Sequence, residues 1–230
     1  MPKFLLITFV FYFLLSGNTY SQDYFRIEAD FAVKVKKSDG KMNLTRGKVY
    51  YDKNYRELLY EITFPQVEKW AIRDTNLYKI RHDTLLERSS IPSINEFTIF
   101  HLSLNSSLND FGLKNSIYKI GKVEKKGDLV LSYWNIPDQA STILDHVIIA
   151  KKDNRLESVV MIGKGSKIVS RQFFKDYEKF GAFEFPRQII QILYDENGLE
   201  NYQITEFQNI KINDLENNSF YRSNFNLIEK

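Results

Sequence analysis

The residues that could carry out chemistry are few, and they do not assemble. His82, His101 and His146 stand far apart, on a turn, a helical stretch and a strand, and no two share the spacing of metal ligands. The chain has no Cys, which removes thiol nucleophiles, disulfides and Cys-bound zinc together. Gly163-Lys164-Gly165-Ser166 lacks the G-x-S-x-G order of a nucleophile elbow and reads as a hairpin turn. Asp138 and Asp145 flank a loop and could be posed as an acid/base pair, although acidic residues in loops usually serve turns and solubility. With no nucleophile–base pair, metal set or cofactor fingerprint, neither an enzyme nor a cofactor is expected. The charge is mixed along the chain, 32 basic against 29 acidic residues for a net +3, which argues against a nucleic-acid partner.

What the chain does have is aromatic surface: 18 Phe, 14 Tyr and 2 Trp, mostly in segments rich in Leu, Ile and Val. The chemistry open to such a chain is the holding of apolar matter. Each methylene of a guest taken out of water gains about 0.8 kcal/mol, so a long hydrocarbon needs no polar anchor.

The elements that would position these side chains are strands. Residues 26–36 alternate apolar and polar, and Ser38-Asp39-Gly40-Lys41 is a hairpin turn. A return strand over 42–52, a turn at 53–56 and a strand over 57–64 ending at Pro65 follow. Further strands are expected at 67–73, 76–81, weakly at 85–86, then 117–125, 129–136, 144–152, 156–163, 167–177, 185–194 and 202–212. The reading is of about eleven strands in a meander, which escapes free edges by curling into an incomplete antiparallel barrel. Between Ser93 and Phe111 the pattern changes. Ile94, Phe97, Leu104, Leu108 and Phe111 fall on one helical stripe, Ser93 and Glu96 form a capping box, and Gly112 is a stop. Thr98, Ser103, Asn105, Ser106, Ser107 and Asn109 are mediocre helix formers, so the segment reads as one or two short helices lying over the barrel as a short helical lid.

At the N-terminus a basic start, the apolar run 4–15 and small polar residues up to Gln22 have the layout of a secretory signal peptide, cut after Ser21. The expectation is a signal peptide over 1–21 and one mainly β domain over 22–230, periplasmic, soluble and not lipidated, since no Cys is available at the junction.

Gly47-Lys48-Val49-Tyr50-Tyr51, the strand Leu58–Phe64 closing on Pro65, Trp70–Asp74 and Asn76-Leu77-Tyr78 resemble the outer-membrane lipoprotein carriers of the LolA/LolB-like fold. So do Asp214-Leu215 and Asn218-Ser219-Phe220 near the end, and the resemblance runs over residues 24–225. It implies a carrier that binds lipoprotein or other lipid acyl chains in an apolar cavity and moves them towards the outer membrane. The family's lid-closing Arg has its nearest counterpart in Lys53, which lacks the planar guanidinium fork. Candidates for the cavity are Leu58, Tyr60, Ile62, Phe64, Trp70, Ile72, Tyr78 and Ile80 on strands, with Phe97, Phe100, Leu104 and Leu108 on the lid. The expected partner is an acyl chain held by a monomer. The alternative is a non-enzymatic interaction or sensor module of the same fold, engaging an inner- or outer-membrane envelope protein.

Overall fold

The structure, a computed structural model, describes residues 23–73, 75–90, 98–137, 144–181 and 183–222. The expected signal peptide, the Ser93/Glu96 capping box, Phe97 and Asp138 lie outside the described residues.

Among the described residues thirteen strands form one antiparallel sheet. The first meander comprises β1 (Arg26–Lys36), β2 (Met42–Asp52), β3 (Glu57–Phe64), β4 (Glu68–Arg73), β5 (Asn76–Arg81) and β6 (Thr84–Ser90). The second comprises β7 (Lys119–Lys126), β8 (Leu129–Asn135), β9 (Leu144–Lys152), β10 (Arg155–Gly163), β11 (Ile168–Phe180), β12 (Phe183–Tyr194) and β13 (Glu200–Ile212). The strand expected only weakly at Leu85-Leu86 is the full edge strand β6.

The expectation of a single continuous meander is corrected in one respect. The two meanders are joined by their outermost strands in sequence, β1 against β13, from Ile27↔Ile212 to Lys36↔Tyr202. Strand order therefore runs from β6 through β1 and β13 to β7, and the sheet stays open at both edges. Alternation within a strand shows which face it buries but carries no information about which distant strand it will meet. The β7 edge carries Lys119, Lys122, Lys125 and Lys126, with a register shift between Ile120 and Lys122, features that blunt an edge against pairing with another chain.

Alternation places Ile27, Ala29 and Phe31 of β1 on the inner face, with Val49 and Tyr51 of β2 and Leu58 and Ile62 of β3 beside them. Gly47 of β2 faces Ile62 beside a bulge, where a Cβ would run into the Glu61 carbonyl. Only glycine fits so close a strand approach.

Against this face sits α1 (Ile99–Leu104), opened by Thr98, whose side chain accepts from the His101 N–H at 3.2 Å. A helix of six residues has little stability of its own, so burial must hold it. Phe100 and Leu104 enter a cluster built on β1–β3, β12 and β13, while Leu102 enters a second cluster built on β8–β11. In a flat sheet β3 and β8 would be eight strand spacings apart, roughly 38 Å, whereas six helical residues span about 9 Å. One short helix can join both clusters only if the sheet curls around it.

Within the stripe over 93–111, read from the sequence as one or two short helices, α1 ends at Leu104. Asn105 Nδ2 donates to the His101 carbonyl at 2.9 Å, Ser107 Oγ to the Asn105 carbonyl at 3.2 Å, and the Gly112 N–H to Asp110 Oδ1 at 3.0 Å. Such side chains offer the backbone non-helical partners, and the chain continues as 3-10 turns at Leu108–Asp110 and Leu113–Asn115. Gly112 adopts a left-handed conformation, φ 72°, between those two turns.

The outer face of β1 and β2 is covered by the segment after β13. Tyr221 is buried there against Tyr50, and its ring lies 4.3 Å from the Arg26 guanidinium carbon. Arg26 donates to Asp52 at 2.7 Å and to Asn218 at 3.1 Å.

Candidate ligand cavity and the filled inner face

The inner face divides into two regions. Near the β2–β3 turn, Phe100 of α1 stands 5.6 Å from Phe185, 5.4 Å from Phe207 and 6.2 Å from Tyr51, ring centre to ring centre. Phe100 is 2% exposed and Leu104 5%. The Tyr51 hydroxyl and His101 Nδ1 share a hydrogen bond of 2.7 Å, and burial pushes the Tyr51 ionisation upward, so the phenol keeps its proton. The helix expected as a lid over a hollow is instead a plug within the face.

At the opposite end, where the β1–β2 and β3–β4 turns lie, the face opens into a cavity of about 570 Å³. Its walls are Met42, Asn43, Leu44 and Thr45 of β2, Ile62 and Phe64 of β3, Pro65 and Gln66 of the turn, and Glu68 and Trp70 of β4. Phe64 is 48% exposed at this mouth, an apolar ring left in water. A smaller cavity of about 370 Å³ lies elsewhere, among Lys152, Asp153, Arg155, Glu157, Lys175 and Asp176, whose charge density suits no hydrocarbon.

Polar groups at the larger cavity are tied to one another. Glu68 Oε2 accepts from Trp70 Nε1 at 2.9 Å, and its other oxygen accepts from Arg81, which also donates to Gln66. Hydrogen bonds from Arg81 first, then Trp70, hold the Glu68 carboxyl below its ordinary value of 4.5. Lys79 lies 5.5 Å from the Trp70 ring centre and pairs with Glu87. The indole is thus fixed at its edge and its face. Behind it, Tyr60 meets the Phe31 ring edge-on at 5.2 Å, and burial pushes its hydroxyl up to about 12.

The sequence candidates separate into groups. Ile62, Phe64 and Trp70 line the cavity. Leu58, Tyr60, Ile72, Phe100 and Leu104 belong to the packed cluster below it, and Leu108 belongs to the second cluster. Phe97 lies outside the described residues. Tyr78 and Ile80 are a correction. They pair with Ala71 and Lys69, while Trp70 pairs with Lys79 and Ile72 with Leu77, so they share the outer face. The reason is parity. Arg73 pairs with Asn76 across a two-residue link, which exchanges odd and even positions between faces. Across the β3–β4 turn Leu58 pairs with Ile72 and Tyr60 with Trp70, and parity is kept. Lys53 is a second correction. Its ammonium pairs with Asp23 at 2.7 Å and its N–H donates to the Phe25 carbonyl at 2.9 Å, so it fastens the start of the chain to the β2–β3 turn, away from the cavity.

Sequence reasoning missed Met42, Asn43, Leu44, Thr45, Pro65, Gln66 and Glu68. The signal was present in outline, since Phe64 is followed at once by Pro65 and a turn. Pairing that rim with the start of β2 required the register Arg46↔Phe64.

No family model and no curated protein sequence matches the chain. Solved structures do share the architecture. A LolA superfamily protein from Nitrosomonas europaea superposes with a TM-score of 0.56 at 14% identity, covering 88% of this chain and 92% of that one. A candidate outer membrane lipoprotein-sorting protein domain from Vibrio parahaemolyticus gives 0.60 at 12% identity, covering 89% and 92%. A DUF1329 family protein from Desulfovibrio piger gives 0.58 at 12% identity, covering 86% and 90%. The fold is LolA-like, as the resemblance in the sequence implied.

Proposed function

We propose that this chain is a lipid carrier of the cell envelope, taking the hydrocarbon of a lipoprotein or another lipid into the rim cavity and moving it towards the outer membrane. The observation that carries this reading is the cavity itself, walled by Ile62, Phe64, Pro65 and Trp70 at an open end of the inner face. Phe64 stands at this opening together with Met42, also exposed, so two apolar side chains are gathered at the mouth of an apolar-walled cavity. The likeness to a candidate lipoprotein-sorting domain supports the reading at the level of the fold. Transfer of a chain from water would gain about 0.8 kcal/mol for each methylene enclosed, enough for retention without a covalent or ionic bond. Release needs only a competing apolar phase.

The test uses the two tryptophans as reporters, because Trp70 lines the cavity and Trp134 is buried in the distant cluster. A brominated acyl probe added to delipidated protein should quench the fluorescence of the Trp134→Phe variant, which keeps Trp70, and leave that of Trp70→Phe nearly unchanged. Phe64→Asp should weaken uptake at least about tenfold, since losing a Phe contact worth about 1.5–3 kcal/mol corresponds to that or more. Phe64 is half exposed, so its replacement should leave folding intact. Quenching confined to Trp134 would place the guest elsewhere. Absence of uptake by the wild-type chain would instead leave an interaction module of this fold.

A further inference from the structure

We infer that the cavity accommodates one acyl chain at a time, so that the natural guest is a single-chain lipid rather than the multiply acylated end of a lipoprotein. This rests on the carrier reading above and narrows the class of its ligand. Two observations lead to it. The first is that the deeper half of the inner face is already occupied. Phe100 and Leu104 of α1 fill the space between β2, β12 and β13, with Phe185 and Phe207 closed around Phe100. A guest there would have to displace the protein's own rings, each as apolar as the hydrocarbon replacing it, so the exchange offers no gain in burial.

The second is the size of what remains. The rim cavity measures about 570 Å³ and is open at its mouth. A methylene takes up about the space of one water molecule in the liquid, on the order of 30 Å³. On that volume the cavity holds roughly 20 methylenes, which is one long acyl chain. Two chains would leave half their length in water, and three would leave two-thirds.

The polar side of the cavity suits such a guest. Arg81 donates to both Gln66 and Glu68, and the Arg81 and Glu68 charges offset each other. Among the described residues that line the cavity Glu68 is the one charged group, and Arg81 balances it. Selection would fall on the chain and not on the head, so a fatty acid and a lysophospholipid should bind alike.

The experiment is native mass spectrometry of the delipidated full chain with four probes: palmitate, palmitoyl lysophosphatidylglycerol, dipalmitoyl phosphatidylglycerol and a tripalmitoylated lipopeptide. Palmitate and the lysolipid should each saturate at one per chain, with the diacyl and triacyl probes at least tenfold weaker. Asn43→Trp, a substitution at an exposed wall position that fills the mouth, should abolish binding of both single-chain probes. Triacyl or diacyl binding as tight as that of palmitate would overturn the one-chain limit while leaving the carrier reading in place. Two palmitates per chain, or palmitate binding that survives Asn43→Trp, would also overturn it. Failure of all four probes to bind would remove the carrier reading itself.

Discussion

At the scale of single residues, the cavity is defined by which side chains are fixed and which are left open. Trp70 is fixed: its N–H is held by Glu68 and its face is covered by Lys79. Phe64 is left open, with Pro65 directly after it ending the strand. The Glu68 carboxyl lies below its ordinary value of 4.5 because Arg81 and Trp70 donate to it, so its ionised form is favoured in the folded chain. A lowered carboxyl contributes stability that is present above its unfolded value and is lost as pH falls through the folded value. An NMR titration should therefore find the Glu68 midpoint below 4.5, and Arg81→Met should move it upward. A midpoint unchanged by that substitution would mean that the ion pair does not set the orientation of the indole. The residue scale also shows where reading by alternation stops. Leu58, Tyr60 and Ile62 share one face of β3, opposite Tyr51, Val49 and Gly47, whereas Phe64 pairs with Arg46 beyond a register shift that alternation does not reveal. Tyr78 and Ile80 fall on the other face, because a two-residue link exchanges the parity between β4 and β5.

At the scale of elements, α1 is the piece whose role the sequence leaves open. Its apolar residues predict burial, and burial is found on both sides of the helix, Phe100 and Leu104 on one and Leu102 on the other. A helix apolar nearly all round is enclosed, so it acts as core and not as a cover. Phe100→Ala should then cost about 3–5 kcal/mol of unfolding free energy, the range for removing a packed Phe ring. Urea denaturation would measure it. A loss below about 1 kcal/mol would show that the ring is not packed as the structure has it. The stripe of Ile94, Phe97, Leu104, Leu108 and Phe111 looks continuous on a helical projection, yet the polar residues within it lead to a reading of one or two short helices, and from Thr98 onward the chain forms α1 and two 3-10 turns. Asn105, Ser106 and Ser107 interrupt the stripe, and the Asn105 and Ser107 side chains compete for the backbone.

At the scale of the whole molecule, the decisive feature is the β1·β13 pairing. It joins residues about as far apart as the described chain permits, Ile27 with Ile212, and places the first and last strands at the centre of the sheet. The segment after β13 then returns across the outer face and buries Tyr221 over Arg26. Removing β13 would leave β1 and β12 as two new free edges in the middle of the sheet, the kind of exposed template that invites aggregation. A chain ending at residue 199 should show no cooperative melting by calorimetry and should associate at micromolar concentration. A monomeric fragment with a sharp transition would mean that the first meander and β7–β12 fold independently of that seam. Among the described residues no helix is long and apolar enough to cross a membrane.

Much of this architecture was written locally. About eleven of the thirteen strands, most of their turns and the inward set on β3 as far as Ile62 follow from alternation and from turn residues such as Asp39-Gly40, because a side chain's face is fixed by its own strand. Three matters were decided only by the tertiary structure: the union of the first and last strands, the use of α1 as filling, and the position of the cavity at the β2–β4 rim. Each depends on contacts between segments distant in sequence, and such contacts are chosen by the packing of the whole curled sheet, where volumes must fill and registers must agree at once. No local pattern of residues encodes that choice.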